Sequence, residues 1–241
     1  SGSIPDYFAL PKGIGAKNLK DTPKPYPAME EAMAMIHAMP HKTITERRDR
    51  AMVALTFVTG LRAGALTSLR LRHLDMARNV VVQDGTEMRA KNGKSFRVFW
   101  FPRTEEMQSI ARDWVAELQG LGFVAGDAVF PPYTLLTMQP SGHKPIDPMR
   151  TDGALSLAFS KASERVGKDF SPHSARHCLA ALGDNLCLTP ERRKAWSLNL
   201  GHETEVITET HYGKMSDGRR NEVIDDLRSS EIWTEDEKDL M

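Results

Sequence analysis

Short β-prone runs interrupt an otherwise helical pattern, and this change of period constrains the fold more than any other feature. The runs cover residues 79–83, 86–91 and 95–101, and they are separated by Asp84-Gly85 and Asn92-Gly93. Asp-Gly and Asn-Gly between such runs are typical of tight β-hairpin turns. The sequence therefore predicts a three-stranded antiparallel meander inside a mainly helical α+β domain.

Helical periodicity fills the chain on both sides of this block. The predicted helices cover residues 29–39, 45–59, 62–71, 104–118, 152–166, 173–187, 190–199, 203–211 and 217–229, with a Gly- and Pro-rich loop over 120–150. The second half of helix 45–59 is apolar nearly all round, so we expect it in the core. Gly60 is suited to end that helix.

Composition and cysteine usage narrow the class of protein. The 241 residues are 40% hydrophobic and 27% charged, as in ordinary globular proteins, and no apolar run reaches the roughly 18 residues of a membrane span. Cys178 and Cys187 lie nine residues apart in a predicted helix. Such a spacing separates them by about 13 Å, too far for a disulfide. A reduced, cytoplasmic compartment is the simpler interpretation.

The charge is balanced overall but unevenly distributed. The 32 basic and 32 acidic side chains give a net charge of zero, which alone argues against a nucleic-acid partner. Residues 231–241, however, carry five acids and one base. Segment 40–72 has seven bases against two acids, and segment 86–103 has five against one. Phosphate affinity depends on local charge, so these two segments are candidates for a phosphate-binding face.

Common catalytic and metal-binding motifs give only weak signals. The chain has no phosphate-binding glycine loop, dinucleotide fingerprint or nucleophile elbow. His37 and His41 have the i, i+4 spacing of metal ligands, but Pro40 interrupts their helix. His173 and His177 have the same spacing without the glutamate of a metalloprotease helix. For both pairs, zinc binding is the weaker interpretation.

An ordered set of polar residues gives the strongest functional signal. In chain order they are Arg62 of Thr-Gly-Leu-Arg, Lys91 at a predicted hairpin tip, His173 and Arg176 of Pro-His-Ser-Ala-Arg-His, His202 of Leu-Gly-His, and Tyr212 ten residues later. Each element alone has an ordinary structural explanation, such as a helix cap or a surface lysine. The order and spacing of all of them together are specific.

Together these motifs resemble those of the tyrosine recombinase (phage integrase) family, from about Glu46 to Gly213. The resemblance implies the mainly helical DNA breaking-rejoining fold with a small β-sheet. It also implies a catalytic domain over residues 28–213, after a cloning scar and linker over 1–27 and before a C-terminal helix and acidic tail over 214–241. The sequence looks like a piece of a longer protein that has a further N-terminal domain.

The implied activity is site-specific recombination of double-stranded DNA through a 3′-phosphotyrosyl intermediate, for DNA integration or excision. The resemblance implies a synaptic tetramer on the DNA and no metal, ATP or other cofactor. Arg62 and Arg176 would hold the non-bridging phosphate oxygens, a role that suits the planar, permanently charged guanidinium. His202 would donate a further hydrogen bond to the same oxygens.

The remaining residues would move protons and form the covalent bond. The resemblance makes Tyr212 the nucleophile and His173 its general acid–base, since imidazole titrates near neutral pH. Lys91 would protonate the leaving 5′-oxygen, and Lys94 is the alternative for that role. The chain departs from the family at Ala65, where a glutamate usually follows the first arginine by three residues.

Three alternatives stay open at this point. The chain could be a DNA-binding protein that keeps the scaffold without activity. It could also be a type IB topoisomerase, which shares the mechanism, although the Leu-Gly-His motif favours a recombinase. Finally, Val223, Ile224 and Leu227 give helix 217–229 an apolar side, which could pack within the chain or dock on a neighbouring protomer.

Overall fold

The computed structural model describes residues 26–136, 144–202 and 215–229. In chain order the elements are α1 (Met29–His37), α2 (Ile44–Thr59), α3 (Ala63–Thr67), β1 (Leu74–Asp75), β2 (Val80–Gln83), β3 (Phe96–Phe99), α4 (Glu105–Gly120), α5 (Tyr133–Leu136), α6 (Gly153–Glu164), α7 (Pro172–Leu186), α8 (Pro190–Asn199) and α9 (Asp217–Asp226). Single 3-10 turns lie at Leu71–His73 and Lys91–Gly93. The mainly helical α+β prediction is confirmed.

Most helices begin and end within three residues of the predicted bounds. The predicted helix 62–71 is instead the short α3 followed by a 3-10 turn, and α5 lies inside the predicted loop over 120–150. The predicted helix 203–211 lies outside the described residues. No helix in the described parts of the chain is long and apolar enough to cross a membrane.

The central helix of the larger core is α2. It begins with a capping box, in which the Glu46 N–H donates to Thr43 Oγ1 at 3.3 Å and the Thr43 N–H donates to the Glu46 carboxylate at 2.8 Å. Every residue from Ala51 to Thr59 is buried, and α2 packs against α4, α6 and α7. The prediction that this apolar stretch lies in the core is therefore confirmed.

The sheet is antiparallel and three-stranded in the order β1-β2-β3, but its membership differs from the prediction. Residues 86–91 form no strand, and the two-residue β1 takes the remaining place in the sheet. The cause is Asp84, whose side chain accepts from both the N–H and the hydroxyl of Thr86 and whose carbonyl accepts from the Met88 N–H. These bonds fold the chain into a local turn. The connection between β2 and β3 is consequently residues 84–95.

A second apolar cluster joins β3 to α7, α8 and α9. The rings of Phe101 and Trp196 lie 4.6 Å apart, and Trp196 Nε1 donates to the Leu179 carbonyl at 2.8 Å. A Cβ at Gly183 would lie 2.5 Å from Trp196 Nε1, so glycine permits the close approach of α7 and α8. This cluster holds the two helices that carry the predicted His-x-x-Arg and Leu-Gly-His motifs.

The C-terminal helix α9 packs on its own chain. Val223, Ile224 and Leu227 are at most 5% exposed, and α9 contacts α8 and β3. Arg219 makes two hydrogen bonds to Glu191 on α8, at 2.7 and 2.9 Å. The structure thus shows the intramolecular alternative for this helix.

The two cysteines are free and buried, as the spacing predicts. Cys178 lies within α7, and Cys187 follows its last residue. Burial raises the pKa of each thiol to about 12. Both thiols are therefore protonated at neutral pH.

Candidate active site

The centre of the candidate site is the buried guanidinium of Arg176. The residue is 9% exposed, on a helix whose first turn is capped by Ser171 and begins at Pro172. Arg176 Nη1 donates to the carbonyl of Gly60, and Nη2 donates to the carbonyl of Leu200 at 2.7 Å. Among the described residues, no carboxylate pairs with it. Neutral carbonyls orient this cation, so its charge remains available to an anion.

A second arginine, Arg62, is close enough to Arg176 for its charge to affect it. Arg62 follows α2 directly and precedes α3 in extended conformation, at φ −67° and ψ 148°. Burial first, and then the positive charge of Arg62, lower the pKa of Arg176 to about 10. Arg176 nevertheless stays protonated at neutral pH. Two neighbouring cations of this kind, with no carboxylate paired to Arg176 in the described part of the chain, suit an anion such as a phosphate.

Gly60 lies where the segment before Arg62 meets α7 and the chain before His202. It has a φ of +60°, and a Cβ there would lie 2.8 Å from the Leu200 side chain. A glycine therefore ends α2 and lets the turn that carries Arg62 pack closely against the chain before His202. The glycine of Thr-Gly-Leu-Arg is required for packing as well as for backbone conformation.

His202 lies beside the Arg176 guanidinium. Its Nε2 is 3.3 Å from Arg176 Nη2, and its backbone N–H donates to the Ser197 carbonyl at 3.1 Å. Gly201 has a φ of +71°, and a Cβ there would lie 2.7 Å from the Phe96 ring. The Leu-Gly-His segment thereby lies between β3 and the first half of α7, with the exposed His202 ring at Arg176.

His173 lies one helical turn before Arg176, at the exposed start of α7. Its ring meets the ring of His177 edge-on, with 4.5 Å between centroids, and His177 stacks on Tyr26 at 6.0 Å. His37, by contrast, bonds to Glu106 at 2.9 Å. Within the described ranges, no group of three or more His, Cys, Asp or Glu residues could hold a metal ion.

The structure does not bring Lys91 into contact with these residues. It lies exposed on the 3-10 turn of the β2–β3 connection, and no hydrogen bond or ion pair joins it to the rest of the described chain. The carbonyl of Lys94 accepts from Gln83 Nε2 at 2.8 Å. Tyr212 lies outside the described residues. The structure places His202 beside Arg176, lets the charge of Arg62 act on Arg176, and places His173 one turn earlier on α7; the assignment of all six residues to one site stays a prediction.

The sequence reasoning missed the side chains that support α3. Ala65 is 1% exposed, and Arg89 supplies polar contacts nearby. The Arg89 N–H donates to Ser68 Oγ at 2.9 Å, its Nη2 donates to Thr67 Oγ1 at 2.7 Å, and its Nη1 donates to the Met149 carbonyl. The available signal was the basic segment 86–103, which includes Arg89.

The reasoning also missed Asn199, the last residue of α8. It is 1% exposed, and its side-chain amide makes two hydrogen bonds of 2.8 Å to the backbone of Phe99. An asparagine just before Leu-Gly-His carries no sequence signal for such a contact, because its partner lies 100 residues away.

Comparison with known proteins places the chain in a family. Residues 28–182 match the model of the phage integrase family. Tyrosine recombinases XerC of two Pseudomonas putida strains are 31% and 34% identical over 136 residues, which is 56% of this chain and 38% of the relative. The chain thus spans well under half the length of these curated relatives.

Solved structures share the fold. A XerA recombinase superposes with a TM-score of 0.55 at 19% identity, covering 88% of this chain and 68% of that one. The integrase of mycobacterium phage Brujita superposes with a TM-score of 0.53 at 18% identity, covering 89% of this chain and 63% of that one. The Tn1549 transposon integrase, solved with circular intermediate DNA, superposes with a TM-score of 0.51 at 16% identity. That match covers 83% of this chain and 64% of the integrase. Since the family model matches well over half of the sequence, the chain belongs to the phage integrase family.

Proposed function

We propose that this protein is a site-specific tyrosine recombinase, which cleaves and rejoins double-stranded DNA and so supports DNA integration or excision. The observation that carries the proposal is the buried Arg176 guanidinium, which is held by neutral carbonyls beside Arg62 and His202. Because no carboxylate pairs with Arg176 among the described residues, its charge suits a phosphodiester, and the proposed reaction uses no metal or ATP.

Arg62, Arg176 and His202 stabilise the phosphoryl group in this proposal. Negative charge builds on the non-bridging oxygens as a nucleophile attacks phosphorus. Donors that are already oriented stabilise that charge without reorganisation. Two backbone carbonyls accept hydrogen bonds from the Arg176 guanidinium and so fix its orientation.

The bonds and protons balance within the chain. The phenolic oxygen of Tyr212 attacks phosphorus and its proton passes to His173, while the bond from phosphorus to the 5′-oxygen breaks. Lys91, with Lys94 as the alternative, gives the leaving 5′-oxygen its proton. In rejoining, a 5′-hydroxyl attacks the phosphotyrosyl bond and Tyr212 leaves. The covalent link conserves the bond energy, so no ATP is needed.

Double-stranded DNA is the proposed partner, and a synaptic tetramer on the recombination site is the proposed assembly. The basic segments 40–72 and 86–103, which contain Arg62 and Lys91, support DNA binding. The DNA complex of the Tn1549 transposon integrase also supports it by analogy.

Two free, buried thiols agree with a reducing bacterial cytoplasm. We keep residues 28–213 as the proposed catalytic domain, after linker 1–27 and before helix and tail 214–241.

Covalent capture on DNA of random sequence tests the proposal and finds the target site at the same time. The chain is incubated at high concentration with nicked duplexes that carry a randomised stretch beside the nick. Cleavage next to the nick releases a short fragment and traps the protein on the DNA. We expect denaturing electrophoresis to show a covalent adduct whose DNA gives the recombination site on sequencing.

Two tyrosine variants identify the nucleophile. Tyr212→Phe should abolish the adduct, and Tyr133→Phe is the matched control, because Tyr133 is a 60% exposed tyrosine in α5. An adduct that persists with Tyr212→Phe would show that Tyr212 is not the nucleophile. DNA binding without any wild-type adduct would favour the inactive scaffold, and relaxation of supercoils without sequence preference would favour a topoisomerase.

A further inference from the structure

The open edge of β3 is covered by a side-chain amide. β3 pairs with β2 on one side, with Val80 opposite Phe99, and is the last strand of the sheet. On the other side, Asn199 Oδ1 accepts from the Phe99 N–H and Asn199 Nδ2 donates to the Phe99 carbonyl, both at 2.8 Å. The amide thus pairs with Phe99 as a residue of a neighbouring strand would.

The next three residues carry the active-site contacts. Leu200 directly follows Asn199, and its carbonyl accepts from Arg176 Nη2 at 2.7 Å. Gly201 packs on Phe96 of the same strand, and His202 lies 3.3 Å from the same guanidinium nitrogen. The Asn199 amide therefore fixes the end of α8 to β3 one residue before the carbonyl that orients Arg176.

We propose that Asn199 is a positioning residue for the recombinase reaction. It sets the place of the Leu200 carbonyl and of the His202 ring, and through them the orientation of the Arg176 guanidinium. The catalytic consequence rests on the function proposed above, whereas the effect on the geometry of His202 does not. A merely structural role would be to satisfy the backbone groups of Phe99 and protect a sheet edge.

Gln108 offers a matched control. It is a buried amide that is 6% exposed, and its Nε2 donates to the Phe101 carbonyl at 3.1 Å, two residues beyond Phe99. It belongs to α4 and bonds to Thr104 as well, away from the segment after α8. Gln108→Leu therefore removes a comparable buried hydrogen bond to the same stretch of backbone without touching the contacts of Arg176.

The experiment compares Asn199→Leu with Gln108→Leu in the full 241-residue chain. The first readout is the NMR signal of the His202 ring in the DNA-free protein, assigned by its loss in His202→Gln. The second is the single-turnover rate of adduct formation at saturating protein, on the DNA obtained by covalent capture. Asn199→Ser, which leaves room for a water molecule in place of the amide, covers the case in which Asn199→Leu does not fold.

We expect a folded Asn199 variant to shift the His202 ring signal and to slow adduct formation by at least about tenfold, as displacement of a transition-state donor does. DNA affinity should change much less than the rate. Gln108→Leu should leave both the ring signal and the rate near wild type.

Two results would overturn the positioning role. One is a wild-type His202 signal and cleavage rate in a folded Asn199 variant. The other is an equal loss of rate in Gln108→Leu, which would assign the effect to general stability. If the wild-type chain forms no adduct on any DNA, the proposed recombinase function fails instead. The His202 signals of the two variants then still show whether Asn199 sets the position of the His202 ring.

Discussion

The site around Arg176 and the connection between β2 and β3 are built in opposite ways. Around Arg176, close contacts fix the backbone at Gly60, Leu200 and Gly201, and the guanidinium is buried. In the connection over residues 84–95, a side-chain turn replaces strand pairing, and Lys91 is exposed. The first region holds its cation among backbone carbonyls, whereas the 3-10 turn of the second leaves Lys91 at the surface, even though Arg89 ties the connection to α3.

This difference matches the chemistry proposed for each region. Charge stabilisation at phosphorus requires donors that are in place before the reaction begins. Proton donation to a leaving oxygen requires a group within hydrogen-bond reach at the moment of cleavage, and such contacts often tighten only when substrate is bound. We therefore expect Arg176 to act from the geometry seen here and Lys91 to meet the phosphate when DNA binds.

The largest effect should come from the region around Arg176. Arg176→Ala should reduce the single-turnover cleavage rate by at least about 100-fold, because a transition-state donor is lost. Arg176→Lys keeps a positive charge but cannot form both carbonyl bonds in the same plane, so it should recover only a small part of the rate. Adduct formation at saturating protein measures both variants, and cleavage by Arg176→Ala at the wild-type rate would refute its role.

The next largest effect should come from Lys91→Ala, which should lower the single-turnover cleavage rate by about 100-fold, as is typical when a general acid is missing. A substrate with sulfur in place of the scissile 5′-oxygen should restore the rate, because a thiolate leaves without protonation. Lys94→Ala is the matched control in the same connection and should be close to wild type on both substrates. The reverse pattern would assign the proton to Lys94.

A smaller effect should result from loosening the packing of the region around Arg176. Gly201→Ala introduces both a strained φ and a contact with Phe96, and we expect it to destabilise the fold by roughly 1–3 kcal/mol and to slow cleavage. Gly167→Ala is the control that introduces backbone strain without a new contact, since Gly167 has a φ of +66° but no atom within 4 Å of its Cβ position. Urea unfolding and adduct rates should separate the two variants, and equal behaviour would show that the contact with Phe96 is unimportant.

The smallest effect should come from an exposed arginine that follows the β2–β3 connection. Arg97 is exposed on β3, and Arg97→Gln should weaken DNA binding a few-fold and lower the salt dependence by about one charge, as for a phosphate contact. Its cleavage rate at saturation should not change. Binding titrations at several salt concentrations measure this, and a fall in the saturated rate instead would place Arg97 in the reaction itself.

The parts of the fold that sequence reasoning predicted correctly depend on local pattern. Helix α2 has a capping box, an apolar run and a terminal glycine within residues 43–60, so each signal reinforces the others. The strand prediction over 86–91 was wrong because Asp84 satisfies its neighbours through a side-chain turn, and β1 was missed because a two-residue strand has no period.

The same reasoning applies to the candidate site. Arg62, His173, Arg176 and His202 were predicted because each lies in a short motif, and the structure places His202 beside Arg176 and lets the charge of Arg62 act on Arg176. Asn199 and Arg89 act through backbone and side-chain partners that are distant in sequence. No periodicity or spacing rule contains such pairs, so only the folded arrangement reveals them.

The two carbonyls that hold Arg176 are both helix C-termini, since Gly60 caps α2 and Leu200 caps α8. The aligned peptide dipoles of a helix place about half a negative charge at this end. Two such ends therefore favour a positive charge at Arg176 without neutralising it, so the guanidinium stays available to an anion. Unlike a carboxylate, they cannot take up a proton or swing toward a competing cation. The backbone thus holds Arg176 through partial charges that do not titrate with pH.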